Sequence, residues 1–215
     1  MDVFRTDRIR NVVLLGHGGA GKTTLTEAMA YLSGITNRLG KVTDGNTISD
    51  YDKEEMKRHF SINTSVVPII WEDTKINILD TPGYFDFVGE QLQAMKLADA
   101  AMIVVGATSG IPVGAEKAFK MSKEAGVSQF FFINQMDREH VNFDKVTQQL
   151  RDRHGSCVVP VLMPIGEGPD FRGVVNVLEK KAYEGAYKKS TEVPMPDSMK
   201  EKVDRAFEYL TEQAA

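Results

Sequence analysis

The sequence has little of what secreted or membrane-embedded proteins need. Its 215 residues include a single cysteine, Cys157, so no internal disulfide can form and a disulfide-stapled secreted scaffold is excluded. The first eight residues are too polar for a signal peptide. No apolar run approaches the roughly 20 residues that a helix needs to cross a bilayer. These absences predict a cytoplasmic protein that has no membrane partner.

An excess of basic residues is also missing. The chain carries 26 lysines and arginines against 30 aspartates and glutamates, which gives a net charge of −4. A domain that binds nucleic acid through its own surface field usually has a pI above about 9, whereas the pI here is near 5.6. We therefore expect no direct sequence-specific binding of nucleic acid by this chain. A larger partner that contains nucleic acid is compatible with this charge.

Short apolar runs alternate with segments of helical spacing. Strands are predicted over residues 11–15, 66–71, 76–79, 100–105 and 130–133, and helices over 22–32, 87–97, 113–125 and 143–150. The second and third strands are separated by Glu72, Asp73 and Thr74 and should form a hairpin. Buried strands that alternate with helices are typical of a mostly parallel sheet covered on both faces. The predicted fold class is α/β.

Two regions depart from this alternation. Residues 34–62 are polar, contain three glycines and show little periodicity, which predicts a long segment without secondary structure that is functional or mobile. After residue 155, strand-like runs over 158–165 and 174–178 are punctuated by prolines and precede an amphipathic helix over 197–213. We therefore place a domain boundary between residues 155 and 156, with an α+β subdomain over 156–215.

Residues 16–23, with the sequence GHGGAGKT, fit the phosphate-loop pattern G-x-x-x-x-G-K-[ST] between a strand and a helix. Glycines let the backbone N–H groups wrap phosphates, and the helix N-terminus adds partial positive charge. Lys22 would neutralise the β- and γ-phosphates, and the Thr23 hydroxyl would bind Mg²⁺. His17 could be catalytic, but its place in the loop favours a role in shaping the turn. The predicted phosphate-binding residues are His17, Gly18, Gly19, Ala20, Gly21, Lys22, Thr23 and Thr24.

Two further motifs each follow a strand. Asp80 ends the run INILD and can hold Mg²⁺ through water, while the backbone N–H of Gly83 can sense a γ-phosphate. Asn134-Gln135-Met136-Asp137 is similar to the guanine signature N-K-x-D. The carboxylate of Asp137 would accept hydrogen bonds from N1–H and N2–H of guanine, which adenine lacks. Asn134 would contact both the base and the phosphate-loop backbone. The alternative for each motif is simple helix capping.

Together the three motifs resemble those of P-loop domains that bind guanine nucleotides. The finer pattern resembles the translational GTPases, most of all the elongation factor G family. Segments that carry this resemblance are residues 19–27, 50–62, 80–87, 134–138, 163–166 and 171–175. The resemblance implies a P-loop GTPase domain over residues 1–155 and the start of an inserted subdomain over 156–215. It also implies GTP, GDP and Mg²⁺ as ligands and the ribosome as partner of the full-length protein.

The resemblance further implies roles for individual residues. Lys22, Gly83 and Tyr84 would serve catalysis, in which water attacks the γ-phosphate in line. Asn134, Gln135 and Asp137 would bind the base. Thr23, Ser61 and Asp80 would hold the metal.

The sequence departs from the family pattern in four places. Gly19 stands where the family has an aspartate that is thought to help hold a monovalent cation. The first switch has Arg58-His59-Phe60-Ser61-Ile62 in place of Arg-Gly-Ile-Thr-Ile, and Ser61 keeps a hydroxyl for Mg²⁺. Tyr84 replaces the histidine that orients the attacking water, and Gln135 replaces the lysine whose stem covers the base.

The resemblance also leaves three functional hypotheses. The first is a ribosome-stimulated GTPase that acts in elongation or translocation. The second is a GTP-regulated binding switch with weak hydrolysis, which Tyr84 favours, and the third is an unrelated P-loop ATPase or kinase, which Asp137 disfavours. No Ser-Ala dipeptide follows Asp137, although the family contacts guanine through one. We therefore expect a fragment of a multidomain factor, with a naturally short protein as the alternative.

Overall fold

The structure is a computed structural model that describes residues 3–108 and 110–214. Its chain divides into two compact units, Met1–Val105 with Pro112–Asn134, and Gly106–Ile111 with Gln135–Ala215. The predicted domain boundary between residues 155 and 156 stays a prediction. Within the described ranges, no helix combines the length and the apolar character that crossing a bilayer requires.

The first unit is built on a five-stranded sheet. Its strands are β1 (Ile9–Gly16), β2 (Ser65–Trp71), β3 (Thr74–Asp80), β4 (Ala100–Gly106) and β5 (Ser128–Asn134), in the spatial order β2-β3-β1-β4-β5. Strand β1 pairs in parallel with β3 and β4, while β2 is antiparallel to β3. The predicted α/β class with a mostly parallel sheet is therefore confirmed.

The hairpin turn is shorter than predicted. Trp71 pairs with Thr74, so only Glu72 and Asp73 form the turn, with φ values of 44° and 61°. Positive φ at both central residues matches the twist of the flanking strands. Thr74 belongs to β3 rather than to the loop.

Helices cover both faces of this sheet. The helices of this unit are α1 (Lys22–Leu32), α2 (Lys53–Arg58), α3 (Val88–Met95) and α4 (Val113–Glu124), of which α1, α3 and α4 contact the strands. Around Ala30 of α1 the sheet contributes a buried cluster of Leu14, Val67, Ile69 and Ile78. Because side chains alternate along a strand, Val13 and Leu15 point to the opposite face, and α3 and α4 both contact β1.

The prediction of a long segment without secondary structure over residues 34–62 is wrong in part. Helix α2 lies within it, capped at its start by the side chain of Asp52, and Val42–Asp44 forms a turn of 3-10 helix. Six residues are fewer than two helical turns, so α2 leaves no apolar periodicity in the sequence. Its formation depends on the capping box between Asp52 and Glu55 rather than on an apolar stripe.

The second unit is an α+β arrangement. It contains α5 (Phe143–His154), the antiparallel sheet β6 (Leu162–Ile165), β7 (Gly173–Asn176), β8 (Lys181–Glu184) and β9 (Thr191–Val193), and α6 (Asp197–Ala214). The strand predicted over 158–165 begins only at Leu162, where pairing with Asn176 starts. Strands β8 and β9 escape sequence detection because they have four and three residues and several charges.

Candidate nucleotide site

The loop between β1 and α1 has a backbone that only glycine adopts easily. Gly16, Gly19 and Gly21 have φ values of 136°, 79° and 93°. A Cβ atom on Gly16 would lie 2.4 Å from the carbonyl oxygen of Val104, so a side chain has no room there. The loop therefore wraps tightly at the N-terminus of α1, where free N–H groups and the helix dipole favour an anion.

Lys22 folds back over this loop. Its Nζ donates to the carbonyl oxygens of Gly16 and His17 at 3.3 and 3.2 Å, and the residue is 6% exposed. Burial lowers the pKa of Lys22 to about 8, and the carboxylates of Asp80 and Asp50 oppose that shift. Near neutral pH the loop therefore holds a positive charge that has little solvent around it.

The segment after β3 lies directly against the loop. A Cβ atom on Gly83 would be 2.5 Å from Nζ of Lys22 and 2.7 Å from the backbone nitrogen of Gly18. Only a glycine lets these two backbones approach so closely. The structure thus brings together Lys22 and Gly83, two of the three residues predicted to serve catalysis.

Tyr84, the third of them, lies at the rim of the loop. A Cβ atom on Gly18 would be 3.2 Å from Cζ of Tyr84, so the phenol ring lies over that glycine. The ring also packs against Phe60, with 4.8 Å between ring centroids and 60° between planes. Nearly half of Tyr84 is exposed, which leaves its ring accessible to solvent.

The hydroxyls of Thr23 and Ser61 meet, although 38 residues separate them. Their oxygens are 3.1 Å apart, and the Ser61 hydroxyl also donates to Oδ1 of Asp50 at 2.7 Å. A serine hydroxyl has a single hydrogen, so in this arrangement Thr23 donates to Ser61 and Ser61 donates to Asp50. The sequence analysis did not identify Asp50 as a site residue, because only the folding back of residues 50–61 brings its carboxylate to the Ser61 hydroxyl.

Asp80 is buried and short of partners. It is 1% exposed, and within the described residues no hydrogen-bond partner of normal geometry reaches either carboxylate oxygen. Burial raises the pKa of Asp80 to about 6, although Ser49, Lys22 and Thr23 lie close enough to favour the ionised form. A buried carboxylate that lacks hydrogen bonds of normal geometry fits a divalent cation, and Mg²⁺ prefers oxygen ligands. Thr23, Ser61 and Asp80 would hold it.

The predicted base-binding motif begins where β5 ends. Nδ2 of Asn134 donates to the carbonyl oxygen of Ala20 at 2.9 Å, which is the contact predicted with the phosphate-loop backbone. Gln135 has a φ of 63°, and its carbonyl accepts from the N–H of Arg138, so the chain turns here. Asp137 lies exposed in that turn, within the second unit. Base recognition by these residues stays a prediction.

Comparisons with known proteins agree with this geometry. The family described as elongation factor Tu GTP binding domain matches residues 7–211. Elongation factor G of Mycoplasma pneumoniae is 31% identical over 209 residues, which cover 96% of this chain and 30% of that protein. Elongation factor G of Fervidobacterium nodosum is 32% identical over 212 residues, or 97% of this chain and 31% of that protein.

A solved structure is also similar. A crystal structure of a protein from Thermus thermophilus superimposes with a TM-score of 0.90 at 34% identity, covering 95% of this chain and 31% of the other. The chain thus spans 30–31% of the length of these relatives.

Proposed function

Because this chain belongs to the family of elongation factor Tu GTP-binding domains, we propose that it binds GTP and GDP at residues 16–23 and hydrolyses GTP. The observation that carries the proposal is the buried Nζ of Lys22. It lies against the glycine-rich loop on one side and against Gly83 on the other. A buried positive charge at a glycine-rich loop that opens a helix suits the phosphates of a nucleotide.

The chain's own residues would divide the work of phosphate binding. The N–H groups of the loop and Nζ of Lys22 would take the β- and γ-phosphate oxygens in place of the carbonyls that Lys22 now contacts. Thr23, Ser61 and Asp80 would hold Mg²⁺, which when bound supplies positive charge against the phosphate oxygens. By accepting the hydrogen of the Ser61 hydroxyl, Asp50 would leave the lone pairs of that oxygen to face the ion.

Gly83 and Tyr84 would act on the γ-phosphate side. The backbone of Gly83 lies beside Nζ of Lys22, and its N–H could donate to a γ-phosphate oxygen. The phenol hydroxyl of Tyr84 can donate or accept one hydrogen bond and could orient the attacking water. Tyrosine brings no positive charge to the transition state, so positioning would be its whole contribution.

The proposal extends to the factor as a whole. Two similar proteins are named elongation factor G, and we propose that this chain is the nucleotide domain of a related translation factor in the cytoplasm. In that setting the ribosome would stimulate hydrolysis and the factor would act in translocation. Residues 1–155 would form the nucleotide domain proper, and residues 156–215 would begin an inserted subdomain.

Base specificity tests the proposal. GTP and GDP should bind much more tightly than ATP, because the carboxylate of Asp137 would pair with N1–H and N2–H of guanine. The change Asp137→Asn should move the preference toward xanthine nucleotides, whose N1–H and C2 carbonyl suit an amide. Competition titrations with GDP, ADP and XDP measure both effects, and equal affinity for ATP and GTP in the unmodified chain would refute the assignment of Asn134 and Asp137.

A further inference from the structure

Glu55 is the most deeply buried carboxylate of the segment between α1 and β2. It is 0% exposed and lies in the six-residue helix α2. Its Oε1 accepts the backbone N–H groups of Ile62 and Asn63, both at 2.9 Å. Its Oε2 accepts the N–H of Asp52 at 3.2 Å, which completes the capping box of the helix. A single side chain therefore ties the start of α2 to the residues that directly follow Ser61.

Ser61 needs such a restraint. Serine is not β-branched, so its side chain is freer about χ1 than a threonine would be. Besides the contact with the Thr23 hydroxyl, two interactions restrain Ser61 here: the hydrogen bond of its hydroxyl to Asp50, and the attachment of the next two backbone N–H groups to Glu55. The first orients the hydroxyl, and the second holds the backbone that carries it opposite Thr23.

Two other carboxylates anchor the same segment at more distant points. Glu27 accepts the N–H groups of Gly40 and Ile48, and Glu90 accepts the N–H of Thr64. Neither binds a residue adjacent to Ser61. Of these three glutamates, Glu55 is therefore the one that holds the backbone next to Ser61.

We propose that Glu55 is a positioning residue for Ser61. By holding the Ser61 hydroxyl beside that of Thr23, Glu55 makes the site select the triphosphate over the diphosphate. This inference rests on the proposed function, in which Ser61 helps to hold Mg²⁺ next to a γ-phosphate. GDP lacks that phosphate, so loss of Glu55 should weaken binding of GTP much more than binding of GDP.

The change Glu55→Gln is the sharpest test, because it keeps the shape and removes one acceptor. Oε1 serves two donors and Oε2 serves a third, so in either orientation an amide NH₂ would face a backbone N–H. The matched control is Glu54→Gln, the same chemical change one residue earlier. Glu54 is half exposed and pairs with Arg58 on the helix surface.

The measurement is the affinity for GDP and for a non-hydrolysable GTP analogue in the presence of Mg²⁺. We expect Glu55→Gln to weaken the analogue by about tenfold or more while GDP changes by less than about twofold. Ser61→Ala should show the same selective loss, and the double variant should be no weaker than Ser61→Ala alone. Glu54→Gln should change neither affinity.

Each other result overturns the inference. Equal losses for both nucleotides, no loss, or additive losses in the double variant would show that Glu55 does not act through Ser61. If the unmodified chain bound neither guanine nucleotide, the proposed function would fail first and the inference with it.

A readout on the unmodified protein covers the case in which Glu55→Gln does not fold. Hydrogen exchange of the Ile62 and Asn63 amides should then be slow, although Asn63 is exposed, because both donate to a buried carboxylate. Rapid exchange at both amides would overturn the inference without any variant. Glu55→Asp, which keeps the charge but withdraws it by one methylene, should reproduce the selective loss if it folds.

Discussion

Replacing Asp80 with asparagine should stabilise the nucleotide-free protein while it weakens Mg²⁺-dependent binding of GTP. Asp80 is buried and its carboxylate oxygens lack partners of normal geometry in the described part of the chain. Asparagine has nearly the same shape as a neutral aspartic acid and carries no charge that burial can penalise. The change therefore separates the stability of the fold from the needs of the site.

The size of the gain follows from the pKa. Burial raises the pKa of Asp80 from an ordinary value of 3.8 to about 6. At about 1.4 kcal/mol per pH unit, this corresponds to about 3 kcal/mol of stability lost on ionisation. Since the group in the folded protein takes up its proton at a higher pH than in the unfolded chain, wild-type stability falls as the pH rises from about 4 to 6. Above pH 6 the full penalty is present.

The assay is urea unfolding without nucleotide and with a metal chelator, between pH 4 and pH 8. Asp80→Asn should exceed the wild type by about 3 kcal/mol above pH 6, and the difference should vanish near pH 4. Asp86→Asn, the same change at an exposed position six residues later, should leave the unfolding free energy within about 0.5 kcal/mol of the wild type. Destabilisation of Asp80→Asn at pH 7 would refute the reasoning, because Asp80 would then hold the fold together.

Three further substitutions test the rest of the site. Lys22→Ala should weaken GDP binding by about 2–5 kcal/mol in a titration, since it removes a charged contact to the phosphates, and unchanged affinity would refute the phosphate-loop assignment. Gly83→Ala should cost about 1–3 kcal/mol of unfolding free energy, because its Cβ would meet Nζ of Lys22 and the backbone of Gly18. With ribosomes, Tyr84→His should raise GTP turnover, by up to about 10²–10³-fold if the imidazole supplies positive charge to the transition state. Tyr84→Phe should lower turnover, because it removes the hydroxyl that would position the attacking water. No effect of Tyr84→Phe would leave Tyr84 a packing residue, and no turnover in any of the three proteins would favour the binding switch.

The phosphate loop could be predicted from the sequence because its determinants are local. Positive φ at Gly19 and Gly21 and the helix that begins at Lys22 arise within a few neighbouring residues. The buried strands were predictable for a similar reason, since continuous apolar runs have few other structures available in a chain of this size. The short helix α2 and the charged strands β8 and β9 were not predicted from the sequence, because capping and strand pairing rather than apolar periodicity stabilise them.

Only the tertiary structure decided how the distant parts of the site meet. Thr23, Asp50 and Ser61 form one chain of hydrogen bonds, and Asp80 becomes buried without partners of normal geometry among the described residues. The spacing of Asp52 and Glu55 suits a capping box, but nothing in the sequence shows that the Glu55 carboxylate is buried and also binds the N–H groups of Ile62 and Asn63. The physical reason is that burial and hydrogen-bond partners depend on how the chain folds back on itself, over separations from 7 residues for Glu55 and Ile62 to 38 for Thr23 and Ser61, whereas sequence patterns report only on near neighbours.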